Sequence, residues 1–510
     1  MAIEISSWGV VVAIASFVIF IRYILKNVNW FLYEFKLGAK QYSLPPGDLG
    51  WPLIGNMLSF LKAFKSTNPD SFLNSYVQRY GNTGIYKVLM FGKPSVIVTT
   101  PEGCKKVLTD DDKFTLGWPR STMELMGEKS FIGIPYDEHR RLRRLTSASI
   151  NGYEALSIYI TFIEQNVISS LDKWSKLGEF EFLTHMRRLT FKIIMHIFLG
   201  AESEPIMEAL EKEYTNLNLG VRAQRINIPG FAFHKSLKAR KNLLAIFQKI
   251  LDERRAEKKG KLSNKKHKDM IDSLIDVEDE NGRRLGDDDI MDIMLMYLNA
   301  GHESSGHITM WATYYLQKHP EYLQKAKEEQ EEILRKRPPT QKGLILEEVR
   351  KMDFLSKVVD ETLRLVTFSL MVFREAKTDV HINGYLIPKG WKILTWFRAV
   401  HLNPEIYPDP SEFNPYRWNV SIKDIRHKFV VSDLVSYTIT HKAGEFLPFG
   451  AGTRLCPGND LAKLEISVFL HHFVLNYKIE PKNPLCPIRY LPHTRPTDNY
   501  LATLKKVSSP

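Results

Sequence analysis

Cysteine is scarce in this sequence: Cys104, Cys456 and Cys486 are its only three in 510 residues, and no two of them stand in a CxxC spacing. So odd and sparse a set excludes a disulfide framework and a cysteine-rich zinc site, and it suits a chain that works in a reducing compartment. Nucleic-acid signatures are also missing. Lysine and arginine outnumber aspartate and glutamate by 70 to 58, yet no zinc-finger spacing or aromatic RNA-binding motif accompanies them. The positive balance therefore points to anionic membranes or acidic protein partners. Long apolar runs are absent beyond one near the amino terminus, which excludes a polytopic membrane protein. What is present, 44% hydrophobic and 25% charged residues, describes a folded globular chain with a buried core, neither collagenous nor disordered. Its length suits two or three ordinary domains or one large body around a deep cavity, and no internal repeat is evident.

The one apolar run extends from Ile5 to Ile21, about the minimum for crossing a bilayer. A cleaved signal peptide expects a basic segment before such a run and small residues after it; here Glu4 precedes and Arg22, Lys26, Lys36 and Lys40 follow. These flanks predict an uncleaved single-pass anchor over residues 1–25 with the bulk of the chain in the cytosol. Residues 26–56 read as a linker and hinge, because Leu44-Pro45-Pro46-Gly47-Asp48 and Trp51-Pro52-Leu53-Ile54-Gly55 cannot continue a helix and favour stiff, extended chain. The dense basic run from Arg254 to Lys268, around Gly260, reads as a solvated linker between helices. Beyond it, three acids at Asp287-Asp288-Asp289 and the stop at Lys318-His319-Pro320 delimit a long helix of ~45 Å, enough to wall a central cavity. Strand-like sequence lies at Ser95–Thr99 and from Val380 to Gly390. The class is mainly α with a small β part.

The chemistry concentrates in Phe449-Gly450-Ala451-Gly452-Thr453-Arg454-Leu455-Cys456-Pro457-Gly458, followed by a helical pattern from Asn459 to Tyr477 with Leu461, Leu464, Val468 and Leu475 on one face. A cysteine just before a helix start gains from the positive end of the helix dipole, which favours its thiolate. Glycines around it permit a tight loop and the close approach of a flat group, and Arg454 offers charge-assisted hydrogen bonds to a carboxylate. Taken alone, composition favours the plainer reading of Cys456 as an ordinary buried thiol in a glycine-rich turn. The whole pattern, Phe-x-x-Gly-x-Arg-x-Cys-x-Gly, resembles the haem-binding loop of the cytochrome P450 family. The resemblance implies that family's fold, with haem b between the long central helix and the cysteine loop. It implies iron ligation by Cys456 and a cofactor loop shaped by Phe449, Gly452, Arg454 and Gly458.

Other segments resemble the same family in its expected order. Glu361 and Arg364 share one helix face, and with Phe413-Asn414-Pro415-Tyr416-Arg417-Trp418 downstream they match a Glu-Arg-Arg core triad of Glu361, Arg364 and Arg417 that braces the haem loop. Ala300-Gly301-His302-Glu303-Ser304-Ser305 resembles the oxygen-activation motif, in which Glu303 and Ser304 would relay protons. There serine replaces the usual threonine, which keeps the hydroxyl and loses its positioning methyl. His139 and Arg143 stand where many relatives hold a haem propionate with tryptophan and arginine, and Arg374, in Phe373-Arg374-Glu375-Ala376, matches the remaining propionate position. The cluster from His139 to Arg144 is either a docking face for the NADPH-cytochrome P450 reductase that such enzymes need or a solvated surface.

The resemblance covers almost the whole chain, and within the family it extends to plant ent-kaurenoic acid oxidases of gibberellin biosynthesis, through Gly50–Met57, Leu298–His307 and Thr367–Glu375. It implies successive oxidations of a hydrophobic diterpene acid, ending at gibberellin A12, with dioxygen and NADPH-derived electrons, at the endoplasmic reticulum membrane. Ala300, Phe368, Leu370, Met371 and Val372 are candidates for an apolar substrate pocket, or for plain core packing. Two alternatives stand beside this reading: a triterpene oxidase of the β-amyrin type, and a haem protein without oxygenase activity. The second is prompted by residues 419–441, between Trp418 and Lys442-Ala443-Gly444, where relatives have only a handful. That stretch, from Val420-Ser421-Ile422 through Thr440-His441, is either a surface excursion or a retained intron, since Val-Ser is what an in-frame splice donor would encode. The expected division is an anchor over 1–25, a linker over 26–56 and a catalytic domain over 57–510.

Overall fold

The computed structural model describes residues 7–37, 43–200, 206–221, 223, 225–259, 269–419, 442–491 and 493–507. Lys40, the second half of the basic run (260–268) and nearly all of the inserted stretch (420–441) lie outside the described residues. The chain forms two compact units. The smaller gathers Met1–Gly117, Leu370–Val400 and Arg489–Pro492, and the larger gathers Trp118–Ser369, His401–Ile488 and His493–Pro510.

In the smaller unit, helix α1 (Ser7–Asn29) leaves Val12, Phe17, Val18, Ile19 and Phe20 exposed. Among the described residues no helix is long and apolar enough to cross a membrane. The proline-rich stretch is held by more than its own stiffness. The buried Asn29 amide donates to the carbonyls of Leu49 and Trp51, each at 2.8 Å, and Lys87 N–H donates to Pro46 O at 2.9 Å.

Strands β1 (Ile85–Met90) and β2 (Lys93–Val98) form a hairpin whose two turn residues, Phe91 and Gly92, have φ of 53° and 72°, the left-handed geometry that matches strand twist. With β3 (Phe114–Leu116), β4 (Met371–Ala376) and β7 (Lys392–Trp396) they make one sheet in the order β1-β2-β7-β4-β3, parallel at β2–β7 and antiparallel elsewhere. The expected strand signal at Val380–Gly390 is a separate hairpin of β5 (Val380–Ile382) and β6 (Tyr385–Ile387), turning on Asn383 and Gly384 at φ 49° and 82°. Phe60, Phe64, Phe72, Tyr76 and Trp396 pack an aromatic core here.

The larger unit is helical. Its main helices are α2 (Tyr136–Asn151), α3 (Tyr153–Trp174), α4 (Phe182–Leu199), α5 (Met207–Val221), α6 (Ala232–Lys259), α7 (Asp287–Lys318), α8 (Pro320–Lys336), α9 (Asp353–Val366) and α10 (Asn459–Asn476). The long helix has the limits its ends predict. Asp289 accepts the Gly286 N–H at 3.0 Å at one end, and Pro320 opens the next helix at the other. At 32 residues it spans ~48 Å. Helix α10 stops one residue short of the expected Tyr477, which instead begins the strand Tyr477–Pro481, paired with Leu501–Lys506.

Two glycines bring α4 and α7 close together. A Cβ at Gly301 would meet the Ile194 side chain at 3.1 Å, and one at Gly306 would meet Thr190 Oγ1 at 3.2 Å and the Arg187 backbone at 3.3 Å.

Candidate functional site

The cysteine loop is built by backbone geometry. Gly450 and Gly452 take positive φ of 77° and 74°, which side chains resist, and Cys456 N–H donates to Phe449 O at 3.0 Å, closing the loop on itself. Asn151, the last residue of α2, donates to both Pro457 O and Asn459 Oδ1, so the loop is tied to α2 before α10 begins. Arg454 donates to Phe131 O at 3.1 Å. His139, buried on α2, lies edge-on to the Phe131 ring at 5.5 Å. His139, Arg143 and Thr453, with Arg140, Arg144 and Ser147, line an open hollow of about 250 Å³. Burial pushes the Cys456 thiol up, against the Gly458 N–H and Arg143, which pull it down. The dipole argument from sequence is therefore outweighed by desolvation: the sulfur by itself titrates above its ordinary value. The rest of the basic cluster divides. Arg141 turns inward to Asp279 and Glu138, and exposed Arg144 reaches Glu280 at 3.4 Å.

Opposite demands meet on α7. Met296, Ala300 and Ser304, four residues apart and so on one face, keep some exposure, Ala300 most of all, while Leu295, Tyr297, Leu298, His302 and Ser305 around them are buried. The Ser304 hydroxyl donates back to Ala300 O at 3.2 Å, the local carbonyl capture expected of a hydroxyl at this position. Glu303 points elsewhere, into an ion pair with Arg187 of α4, with His302 Nε2 and His307 Nδ1 each 3.7 Å from its carboxylate. Burial pushes the Glu303 carboxyl up, but Arg187, His302 and His307 together bring it below its ordinary value. A thiol held in a glycine loop, with Arg143 close enough to act on it and with His139, Arg143 and Thr453 lining one hollow, makes a donor set that fits a flat, dianionic, iron-bearing group.

Glu361, Arg364 and Arg417 come together as one buried cluster. Arg364 donates from Nη2 to Glu361 Oε1 at 2.8 Å and from Nε to Oε2 at 2.9 Å, and Arg417 Nε donates to Oε1 at 2.8 Å. Trp418 Nε1 and Asn414 N–H complete the shell at 2.9 and 3.0 Å. A link missed from the sequence carries this cluster toward the cysteine loop. Arg364 Nη1 donates to His401 O at 2.9 Å, and His401 Nε2 accepts the Leu447 N–H at 2.9 Å. That acceptor role leaves the proton on Nδ1, which faces Thr367 Oγ1 at 3.0 Å. Downstream of the inserted stretch, Tyr407 Oη donates to Glu445 O at 2.9 Å, and the Phe446 ring lies 4.5 Å from that of Trp418.

Residues 45–502 match the family model described as Cytochrome P450. The chain belongs to the cytochrome P450 family. This cytochrome P450 is 63% identical over 485 residues to ent-kaurenoic acid oxidase 1 of Arabidopsis thaliana, covering 95% of each chain. It is 61% identical over 499 residues to ent-kaurenoic acid oxidase 2 of the same plant, covering 98% of each. Among solved structures it is similar to the retinoic acid-bound cyanobacterial CYP120A1, at a TM-score of 0.78 and 26% identity, over 92% of this chain and 100% of that one.

Some predicted positions of this cytochrome P450 belong to the smaller unit. Arg374 is buried on β4 of the smaller unit. Leu370 and Met371 pack on that unit's aromatic core, which is the packing role their composition also allowed, and Val372 is half-buried on the same strand. Phe368 belongs to the larger unit and stacks on His493 at 3.9 Å. Arg187, Thr190 and His401 escaped the sequence reading because no local spacing announces them. Each acts on a residue at least 46 positions away.

Proposed function

We propose that this cytochrome P450 is an ent-kaurenoic acid oxidase, a haem-thiolate monooxygenase that carries ent-kaurenoic acid through successive oxidations to gibberellin A12. The observation that carries the haem-thiolate part is the Cys456 loop, closed on Phe449 O and tied to Asn151 beside Arg143 and Arg454. The substrate rests on the identity to the two Arabidopsis oxidases over nearly the whole chain.

When bound, haem with a thiolate ligand supplies the redox chemistry that splits dioxygen and inserts one of its atoms. This chain's residues do the rest. Cys456 is the iron ligand; Phe449, Gly452 and Gly458 shape the loop around it, and His139, Arg143 and Arg454 hold the propionates. Ala300 clears space on α7, and Glu303 and Ser304 deliver protons. Electrons come from NADPH through a flavoprotein reductase, drawn to the exposed arginines of α2, Arg140 and Arg144. The exposed apolar side chains of α1 hold the protein to the endoplasmic reticulum membrane with its body in the cytosol.

Incubation with ent-kaurenoic acid, NADPH and reductase, followed by mass spectrometry, tests the substrate: gibberellin A12 is expected, and absence of turnover refutes the assignment. Cys456→Ala should abolish the carbon-monoxide spectrum of a thiolate-ligated haem, and its survival would refute the ligand. Alkaline carbonate should leave the full chain in the membrane pellet and release a chain lacking residues 1–25; release of both would refute the anchor.

A further inference from the structure

Helix α4 presents one face to the acid–alcohol turn of α7. Arg187, Thr190, Phe191 and Ile194 lie at i, i+3, i+4 and i+7 along it. Arg187 pairs with Glu303, Phe191 packs edge-on against the His302 ring at 5.2 Å, and Ile194 sits beside Gly301.

Thr190 does something different. Its hydroxyl is buried and has three carbonyls within reach: Met186 O and Arg187 O of its own helix, both at 3.1 Å, and His302 O of α7 at 2.8 Å. A hydroxyl has one proton to give, and the shortest of these contacts crosses between helices. In a regular helix the His302 carbonyl serves the Gly306 N–H, and Gly306 is where a side chain would strike Thr190 Oγ1 and the Arg187 backbone. The missing side chain at 306 is thus what lets the threonine reach that carbonyl.

We propose that Thr190 is a positioning residue for proton delivery: by holding the His302 carbonyl while Arg187 holds the Glu303 carboxylate, it fixes the orientation of the turn that carries Glu303 and Ser304. This rests on the reading of Glu303 and Ser304 as the proton relay. A side chain bonded into a helix ladder bends or steadies the helix at that point, and here the point is the peptide immediately before Glu303.

The test uses the full-length protein with reductase and compares product formed with NADPH consumed and peroxide released. Thr190→Val and Thr190→Ala remove the donor with different changes in packing, and Thr190→Ser keeps it. The expected result is a loss of coupling of about fivefold in the valine and alanine variants, the factor one net hydrogen bond is worth, with peroxide rising in step. The carbon-monoxide spectrum should be unchanged, and the serine variant should retain coupling. Coupling at the parent level in Thr190→Val, or equal impairment of Thr190→Ser, overturns the proposal. Loss of the carbon-monoxide spectrum in both valine and alanine variants also overturns it, because the role would then belong to the fold. Glu303→Gln separates the two ideas. If it stays coupled, the relay reading and this inference both fall; if it uncouples while Thr190→Val does not, only this inference falls.

Discussion

Replacing Glu361 by glutamine should cost far more than the loss of one charge at the surface. The Glu361 carboxylate is fully buried and accepts five hydrogen bonds, three on Oε1 from Arg364, Asn414 and Arg417 and two on Oε2 from Arg364 and Trp418. A glutamine must turn its NH2 toward one of these sides, so at least two donors, one of them a guanidinium, face another donor and have nothing to bind. Orphaned buried donors cost ~1–3 kcal/mol each, and buried Arg364 and the largely covered Arg417 also lose their counter-charge, which together gives about 3–5 kcal/mol. With a urea dependence of ~3 kcal/mol per molar, the transition should move down by ~1–1.7 M. Haem absorbance should be lost at lower urea than far-UV circular dichroism, because the cluster reaches the loop through His401 and Leu447. Arg417→Leu in the same background should then cost little more. A midpoint unchanged within ~0.3 M, the behaviour of an exposed pair worth under ~1 kcal/mol, would refute the reasoning.

Further outcomes are open to measurement. Burial pushes the Glu465 carboxyl on α10 up to about 8, against a weaker pull from the Ser305 hydroxyl of α7. Because the folded value lies above the unfolded one, its contribution is complete below about 4.5 and lost as pH rises through about 8; Glu465→Gln should match the parent near pH 5 and exceed it in stability above pH 8, and parallel pH profiles would refute this. Gly306→Ala should destabilise, since its Cβ meets Arg187 backbone at 3.3 Å, whereas Gly301→Ala meets only the flexible Ile194 side chain and should be neutral or gain up to ~1 kcal/mol of helix propensity; thermal melts of the two decide it, and an unaffected Gly306→Ala would count against close α4–α7 packing. Ser304→Ala should lower product per NADPH, because the hydroxyl on Ala300 O is gone, and Ser304→Thr should equal or exceed the parent; the reverse order would remove Ser304 from the relay.

The parts legible in the sequence are those whose cause is local. The acids at Asp287–Asp289 and the proline at 320 mark the ends of α7 through dipole and ring chemistry acting within a turn. The cysteine loop declares itself by glycine spacing, and the turn at Asn383-Gly384 by residues that accept positive φ, whereas Phe91, a bulky residue at φ 53°, gives no such sign. What the sequence hides is assembled in three dimensions. The segment Leu370–Val400 leaves one unit to complete the sheet of another, and no composition shift marks either crossing. Thr190, Arg187 and His401 carry no motif, since a threonine inside a helix reads the same whether it bonds back to its own turn or across to a neighbour. The balance at the Cys456 sulfur is hidden for a related reason: a dipole can be read from order along the chain, but desolvation depends on everything packed around the sulfur.

Trp418 and Phe446 touch across the inserted stretch, the first secured by Glu361 and the second flanked by Tyr407 on Glu445 and His401 on Leu447. The chain therefore departs and re-enters at adjoining points that share one anchor, since Arg364 binds both Glu361 and the His401 carbonyl. A longer flexible connection between two such points costs ~0.6 kcal/mol of ring entropy for each doubling. For a gene this makes the codons between Trp418 and Phe446 a forgiving place for an exon boundary to drift: transcripts that keep or drop them would encode enzymes of different length whose iron-binding loop starts from the same place.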